Sequence, residues 1–176
     1  MGLDLILFRP AEIADASAVA AIHDAAWRAT YQGIIPHVHL ERMINRRGPQ
    51  WWHRQIQRGS KITLFIYDGV PQGYAAWGDA RGVWPWPAGE IFELYISPIF
   101  QGLGFGSKLF AAVRQDLKRE GLVRLVVWAL KDNDAACAFY GGLGGIPFAS
   151  APERFGDQSL TRVAFAWGVS VKSSNT

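Results

Sequence analysis

The interpretation of the chain depends on ELYISPIFQGLGFGSKLF, residues 93–110, because the pattern of apolar residues and glycines changes in the middle of this stretch. An apolar strand-like segment leads into three glycines within five positions, and an apolar helix-like segment follows. Glycine allows close approach and positive φ, and a helix start offers unpaired N–H groups at the positive end of its dipole. The stretch therefore predicts a backbone cradle for an anion, most often a phosphate.

Two common phosphate motifs do not fit this loop. In a P-loop, lysine and then serine or threonine follow the last glycine, whereas Gly106 is followed by Ser107 and then Lys108. In a Rossmann fingerprint the third glycine comes later, since Gly106 stands one residue early after Gly102 and Gly104. The loop alone also permits tight packing without any ligand.

The composition restricts the class of protein. The chain has 176 residues, 49% of them hydrophobic and 19% charged, which predicts one globular domain over residues 1–168 and a disordered polar tail over 169–176. Lysine and arginine are scattered, with a net charge of only +3, which argues against nucleic-acid binding. No apolar run reaches the roughly 18–20 residues that span a bilayer. The single cysteine, Cys137, excludes an internal disulfide and favours a reducing cytoplasm.

The hydrophobic pattern predicts alternating strands and helices. Asp15 is expected to cap a helix that runs to Tyr31, and Asp68-Gly69 is expected to turn a hairpin. The remaining predicted helices cover residues 37–46, 50–58 and 104–120 and a short segment after Asn133, and the remaining predicted strands cover residues 5–8, 90–97, 124–130, 146–151 and 159–167. This is a mixed α/β domain whose sheet is covered by helices.

Three stretches in order resemble the GNAT superfamily of N-acetyltransferases. Residues 93–110 resemble its motif A, in which Leu-Tyr-hydrophobic and Pro precede [QR]-x-x-G-x-[GA], here Gln101, Gly104 and Gly106. LVVWALKDNDAACAFYGGLGGIPF, residues 125–148, resembles its second half. The opening contains WRATYQGIIP, residues 27–36, which is similar to the W-R-x-x-Y-x-G-[IL]-[IL]-P of a branch that acts on small molecules.

The resemblance, over about residues 5–167, implies the GNAT fold. That fold has a mixed, mostly antiparallel seven-stranded sheet, splayed between strands 4 and 5 and flanked by four to five helices. It implies direct transfer of an acetyl group from acetyl-CoA to a primary amine, with no metal. The acceptor is expected to be a small molecule. Two alternatives stay open: a protein lysine or N-terminal acetyltransferase, and a non-catalytic sensor of coenzyme A. A homodimer is also compatible with the sequence.

The resemblance further assigns the cofactor-binding residues. The pyrophosphate of coenzyme A would lie on the loop of Gln101, Gly102, Leu103, Gly104, Phe105, Gly106 and Ser107. Its pantetheine arm would follow the fourth strand at Leu94, Tyr95 and Ile96. Asn133 would contact the same arm, although a plain helix N-cap explains this asparagine equally.

The resemblance also suggests the catalytic residues. Tyr140 would protonate the departing thiolate, with a packing aromatic as the alternative. Glu90 and Glu93 are candidates for the base that deprotonates the amine, and an unbroken strand would point them to opposite faces. Both also fit solvated strand-end charges, and a water chain could replace them. Cys137 is more consistent with a small buried thiol than with an acyl carrier.

Specificity is expected in the first helix and in the loop before the fourth strand. Trp27, Tyr31, Trp84 and Trp86 would wall an aromatic pocket for an apolar or cationic acceptor. The alternatives are core packing for Trp27 and a rigid surface loop for WPWP, residues 84–87. Trp128 stands where ribosomal-protein N-terminal acetyltransferases keep a glutamate base, which argues against that branch.

Overall fold

The computed structural model describes residues 5–169, so the predicted disorder of residues 170–176 lies outside the described residues. The strands are β1 (Ile6–Pro10), β2 (Lys61–Tyr67), β3 (Val70–Asp79), β4 (Gly89–Ile96), β5 (Leu125–Leu130), β6 (Ile146–Phe155) and β7 (Gln158–Trp167). The helices are α1 (Ala16–Tyr31), α2 (His37–Asn45), α3 (Pro49–Gln57), α4 (Phe105–Arg119) and α5 (Asp134–Gly142). No helix within residues 5–169 is both long and apolar enough to cross a membrane.

All seven strands form one sheet in the order β1-β2-β3-β4-β5-β7-β6. Every neighbouring pair is antiparallel except β4 and β5, which run parallel. This parallel pair is short, because only Gly89–Ile91 lies against Leu125–Val127 before the two strands diverge. The predicted fold, including the splay between strands 4 and 5, is confirmed.

Strand β4 carries a bulge at Phe92. Glu93 lies opposite Ala76 of β3, whereas Ile91 lies opposite Trp77, the next residue along β3. Residues directly opposite share a face, so Glu93 shares the face of Ala76, and Glu90, opposite Gly78, shares it too. The prediction that Glu90 and Glu93 point to opposite faces is therefore wrong, because the strand is not regular between them.

Helices cover both faces of the sheet. Helices α4 and α5 pack on one face over a core that includes Phe65, Leu109, Val113, Leu117, Val127 and Phe165. Helices α1 and α3 pack on the other face over Val19, Ile22, Trp52, Leu64 and Tyr74. A third apolar cluster joins the ends of α1 and α2 to β5, β6 and β7 through Trp27, Leu40, Leu130, Phe155 and Leu160. The main cavity described below lies on the α1 face.

The start of α1 differs from the sequence prediction. Asp15 precedes the helix, but its side chain makes no capping hydrogen bond to it. Its carboxylate instead accepts from the Glu12 N–H at 2.7 Å and from the Arg9 guanidinium at 2.7 and 3.0 Å. The Arg9 partner lowers the pKa of Asp15, so this carboxylate ties β1 to the turn before α1.

Candidate active site

The glycine loop ends at the N-terminus of α4. Gly102 and Gly104 have φ of 75° and 81°, and Gly104 is the N-cap residue. Within the described residues, no N–H of residues 102–107 donates a hydrogen bond to a backbone or side-chain acceptor. The side chain of Gln101 donates to the Ile96 carbonyl at 2.9 Å and fixes the loop to the end of β4. Six consecutive donors at a helix start form a site that an anion can satisfy.

The predicted pantetheine contacts lie along the open edge of β4. Past Ile91 this strand has β3 on one side, and no strand of residues 5–169 pairs with its other side. Leu94 and Ile96 pack with the core beneath α4, whereas Tyr95 packs on the opposite face. The backbone of residues 94–96 therefore borders the gap between β4 and β5, where an amide-bearing chain could pair with it.

Asn133 and Cys137 have local explanations. Asn133 Oδ1 accepts the Ala136 N–H at 3.1 Å, so this side chain caps α5, and its contact with a cofactor stays a prediction. Burial raises the pKa of Cys137, and its Sγ lies 3.6 Å from the Leu130 carbonyl. A thiol that resists ionisation is a poor nucleophile, which agrees with the structural interpretation of this cysteine.

Tyr140 is buried on α5 while its hydroxyl is unbonded. Only 7% of the residue is exposed, and its ring packs against Phe110, Phe165 and Trp167. Its hydroxyl makes no hydrogen bond to any residue between 5 and 169. Burial, and secondarily the nearby Tyr31, raises the pKa of Tyr140. The group therefore keeps its proton at neutral pH and has it available to donate.

Two further tyrosines meet on the other side of the sheet. The hydroxyls of Tyr31, at the end of α1, and Tyr95, on β4, lie 2.9 Å apart. Burial raises the pKa of both, and Tyr140 adds to the rise at Tyr95. The sequence predicted a backbone role for Tyr95 but gave no signal for this pair.

A cavity of about 640 Å³ opens on the α1 face. Trp27, Tyr31 and Tyr95 line it together with Trp51, Trp52 and Trp128. Its charged lining consists of Arg47, Lys61, Arg81, Glu90, Glu93, Glu153 and Arg162. Because both glutamates of β4 face this space, the bulge at Phe92 brings two candidate bases to one site.

Glu93 belongs to a buried polar chain. It pairs with Arg47 and accepts the Tyr74 hydroxyl at 2.8 Å. That hydroxyl is in turn 2.8 Å from Nδ1 of His23, a residue with no exposed surface. Arg47 lies over the rings of Trp27 and Trp51, with its Cζ 5.6 and 5.0 Å from their centroids. These contacts fix the orientation of the carboxylate.

Glu90 is held by the loop that precedes β4. It is 1% exposed and accepts the Arg81 backbone N–H at 2.8 Å and the Arg81 guanidinium at 2.7 Å. Both of its oxygens are engaged by one residue. This glutamate therefore anchors the loop after β3.

Trp84 and Trp86 do not line the cavity. They stack on each other at 5.7 Å and contact Phe148 of β6, beside a separate depression of about 450 Å³. Trp128 contacts Trp84 and also lines the main cavity. The structure thus brings Trp27 and Tyr31 together as predicted but leaves Trp84 and Trp86 outside, because the loop packs toward β6 instead of folding over the site.

His23, Tyr74 and Arg47 were missed by sequence reasoning. None of the three belongs to a recognised motif. Their partners lie 19 to 51 residues away, so no local spacing connects them. No group of three or more His, Cys, Asp or Glu side chains in residues 5–169 is arranged to hold a metal ion.

Comparisons with known proteins agree with this geometry. The family model described as "Acetyltransferase (GNAT) family" matches residues 19–144. The chain is 25% identical to the uncharacterized N-acetyltransferase YuaI of Bacillus subtilis, over 89% of this chain and 85% of that protein. It is 26% identical to the L-amino acid N-acyltransferase MnaT of Escherichia coli, over 82% of each. The structure of YncA from Salmonella typhimurium, a putative acetyltransferase solved with acetyl-CoA, has a TM-score of 0.68 at 23% identity and covers 97% of this chain and 98% of its own.

Proposed function

The chain belongs to the acetyltransferase (GNAT) family, and we propose that it transfers an acetyl group from acetyl-CoA to the primary amine of a small molecule. The observation that carries the proposal is the cavity of about 640 Å³, whose wall includes Glu93 and Tyr95 beside the gap between β4 and β5. This volume lies within the roughly 300–1,000 Å³ of small-molecule sites. The name of the relative MnaT, an L-amino acid N-acyltransferase, also supports a small acceptor.

The chain's own residues fit acetyl-CoA as the donor. The unbonded N–H groups of residues 102–107 suit its pyrophosphate, and the open edge of β4 at Leu94, Tyr95 and Ile96 suits its pantetheine amides. YncA, which shares the fold, was solved with acetyl-CoA. Bound there, acetyl-CoA supplies the thioester carbon to which the amine adds.

Glu93 is the preferred base. It faces the cavity, and Arg47 and the Tyr74 hydroxyl hold it in one orientation. An amine enters mostly as ammonium, since a lysine-like group has a pKa of about 10.4, so a proton must leave before attack. Glu93 would take that proton, directly or through one water molecule. Glu90 is the weaker candidate because it lies where β4 still pairs with β5, whereas Glu93 lies past Ile91, where the gap opens.

Tyr140 is the proposed acid. The residue is only 7% exposed, and its hydroxyl keeps its proton and has no partner within the described part of the chain. When the new N–C bond forms and the C–S bond breaks, the electron pair goes to sulfur, and Tyr140 would donate a proton there. Tyr31 and Tyr95, whose hydroxyls lie 2.9 Å apart, line the cavity.

The extent of the domain, its location in the cell and its oligomeric state belong to the same proposal. Because one continuous sheet carries all five helices, we expect residues 1–168 to form a single domain. A cytoplasmic location and a homodimer stay predictions from the sequence.

Free-thiol release from acetyl-CoA tests the proposed function across polyamines, aminoglycosides, amino acids, arylamines and short peptides. Transfer to one class of small amine, lost in Glu93→Gln, is the expected result. Transfer to peptides alone would move the assignment to a protein acetyltransferase. Tight acetyl-CoA binding without transfer to any amine would favour a sensor of coenzyme A.

A further inference from the structure

One of the four cations that line the cavity is poorly paired. Arg47, Lys61 and Arg81 each donate to a carboxylate, on Glu93, Glu120 and Glu90 respectively. Arg162 makes no hydrogen bond to a carboxylate of residues 5–169. Its nearest acidic atom, Glu153 Oε2, is 3.6 Å from Nη1, and its Nε is shielded from solvent without a partner. The hydrogen-bonding capacity of Arg162 is therefore largely unused.

The sheet gives this guanidinium a defined position. Arg162 lies on β7 opposite Leu130 of β5, on the face that lines the cavity. Its Cζ is 4.4 Å from the centroid of the Trp128 ring, so the ring covers one side of the guanidinium. This contact restricts where the guanidinium can lie, and its planar N–H groups form a fork that matches a carboxylate.

The position of Arg162 relative to the gap between β4 and β5 limits which acceptors fit the site. Trp128 belongs to β5, one of the two strands that border the gap, so Arg162 stands beside the place where the amine must react. The Nε of Arg162 is shielded from solvent without a partner, which costs free energy, and an anionic group of the acceptor that accepts from the guanidinium would offset that cost. The proposed base, Glu93, lies on β4 at the other side of the gap.

We propose that Arg162, oriented by Trp128, binds a carboxylate of the acceptor, so that the acceptor is an amine that also carries a carboxylate, as α-amino acids do. This inference rests on the proposed function. Glu93 accepts the proton from the amine of the acceptor, and Arg162 binds its carboxylate. Arg162 is then a specificity-determining residue.

The test uses α-amino acids with a primary amine, other than cysteine, and their α-carboxamides, which lack the anionic group; the two are compared at a pH at which the amine of each is measured for its protonated fraction. Thiol release measures transfer, and calorimetry in the presence of coenzyme A measures binding. We expect the wild-type protein to prefer amino acids, and Arg162→Gln to raise their KM about 10- to 100-fold because a charge-assisted hydrogen bond is lost. The KM for the amides should stay within about threefold.

Two variants control for charge and folding. Arg154→Gln removes the same charge from an exposed position on neighbouring β6 and should leave both substrate classes unaffected. Arg162→Lys keeps the charge without the fork and should fall between wild type and Arg162→Gln. Unchanged acetyl-CoA affinity in every variant shows that the fold is retained.

The inference fails if no amino acid binds more tightly than its amide, whether or not any amine is acetylated. It also fails if Arg162→Gln weakens acids and amides equally, or if Arg154→Gln has the same effect. The proposed function fails separately, when acetyl-CoA binds and no amine of any class is acetylated.

Discussion

Replacing two buried tyrosines by phenylalanine should separate catalysis from stability. Tyr140→Phe keeps the ring that packs on Phe110, Phe165 and Trp167 and removes only a hydroxyl with no partner within residues 5–169. The free energy of unfolding should therefore change by no more than about 0.5 kcal/mol. If this hydroxyl protonates the leaving sulfur, kcat should fall by about 10²- to 10⁴-fold.

Tyr74→Phe is the matched control with the opposite expectation. The Tyr74 hydroxyl is fully buried and bonds both Glu93 Oε2 and His23 Nδ1 at 2.8 Å. Its removal leaves a carboxylate and an imidazole each short of a partner, which should cost about 2–4 kcal/mol. For a chain of this size that corresponds to a drop in Tm of about 4–16 °C.

Thermal unfolding followed by circular dichroism, and thiol release with the best acceptor, measure the two effects. Both variants are compared at pH 7.5 with the same acetyl-CoA concentration, after its affinity has been measured. A kcat of Tyr140→Phe within twofold of wild type would refute the acid assignment. A Tm loss in Tyr140→Phe as large as that of Tyr74→Phe would show that its hydroxyl has a structural role instead.

Three further predictions follow from single contacts. Burial lowers the pKa of His23 to about 3, so between that value and about 6.5 the unfolded chain binds a proton that the native state excludes, and stability falls as the pH falls. Urea unfolding should show a loss of about 2 kcal/mol between pH 6 and 4.5 that His23→Gln lacks; equal slopes would contradict this. Gly104→Trp should weaken acetyl-CoA binding at least about tenfold by calorimetry. Gly121→Trp is the control, since Gly121 has the same φ of 81° and lies beyond the other end of α4, and it should leave acetyl-CoA binding unchanged. Equal losses of affinity in the two variants would show that the loop does not bind acetyl-CoA. Glu93→Gln should lower kcat about 10²-fold with acetyl-CoA affinity unchanged, whereas Glu90→Gln should lower Tm more than kcat; the reverse order would exchange their roles.

Local sequence was sufficient wherever one short segment determines its own conformation. The turn Asp68-Gly69 has positive φ at both residues, as its composition predicts, and Asn133 caps α5. The glycines at 102 and 104 adopt positive φ at the start of α4. The order of strands and helices followed from hydrophobic periodicity because each element buries one continuous face.

The sequence was insufficient where the conformation depends on a partner strand or helix. The bulge at Phe92 exists only in the pairing of β4 with β3, and it decides that Glu90 and Glu93 share a face. Trp84 and Trp86 pack toward β6, and nothing in the sequence of their own loop predicts this packing.

By itself, then, the sequence determined the family, the fold and the glycine loop at the start of α4, because motif residues there act within a few positions of each other. Tertiary structure alone decided which polar side chains meet at the cavity on the α1 face. Arg47 with Glu93, Tyr31 with Tyr95, and Arg162 over Trp128 each join segments 34 to 64 residues apart. Such pairs depend on how the helices pack on the sheet. Hydrophobic burial determines that packing, and the positions of the polar side chains follow from it.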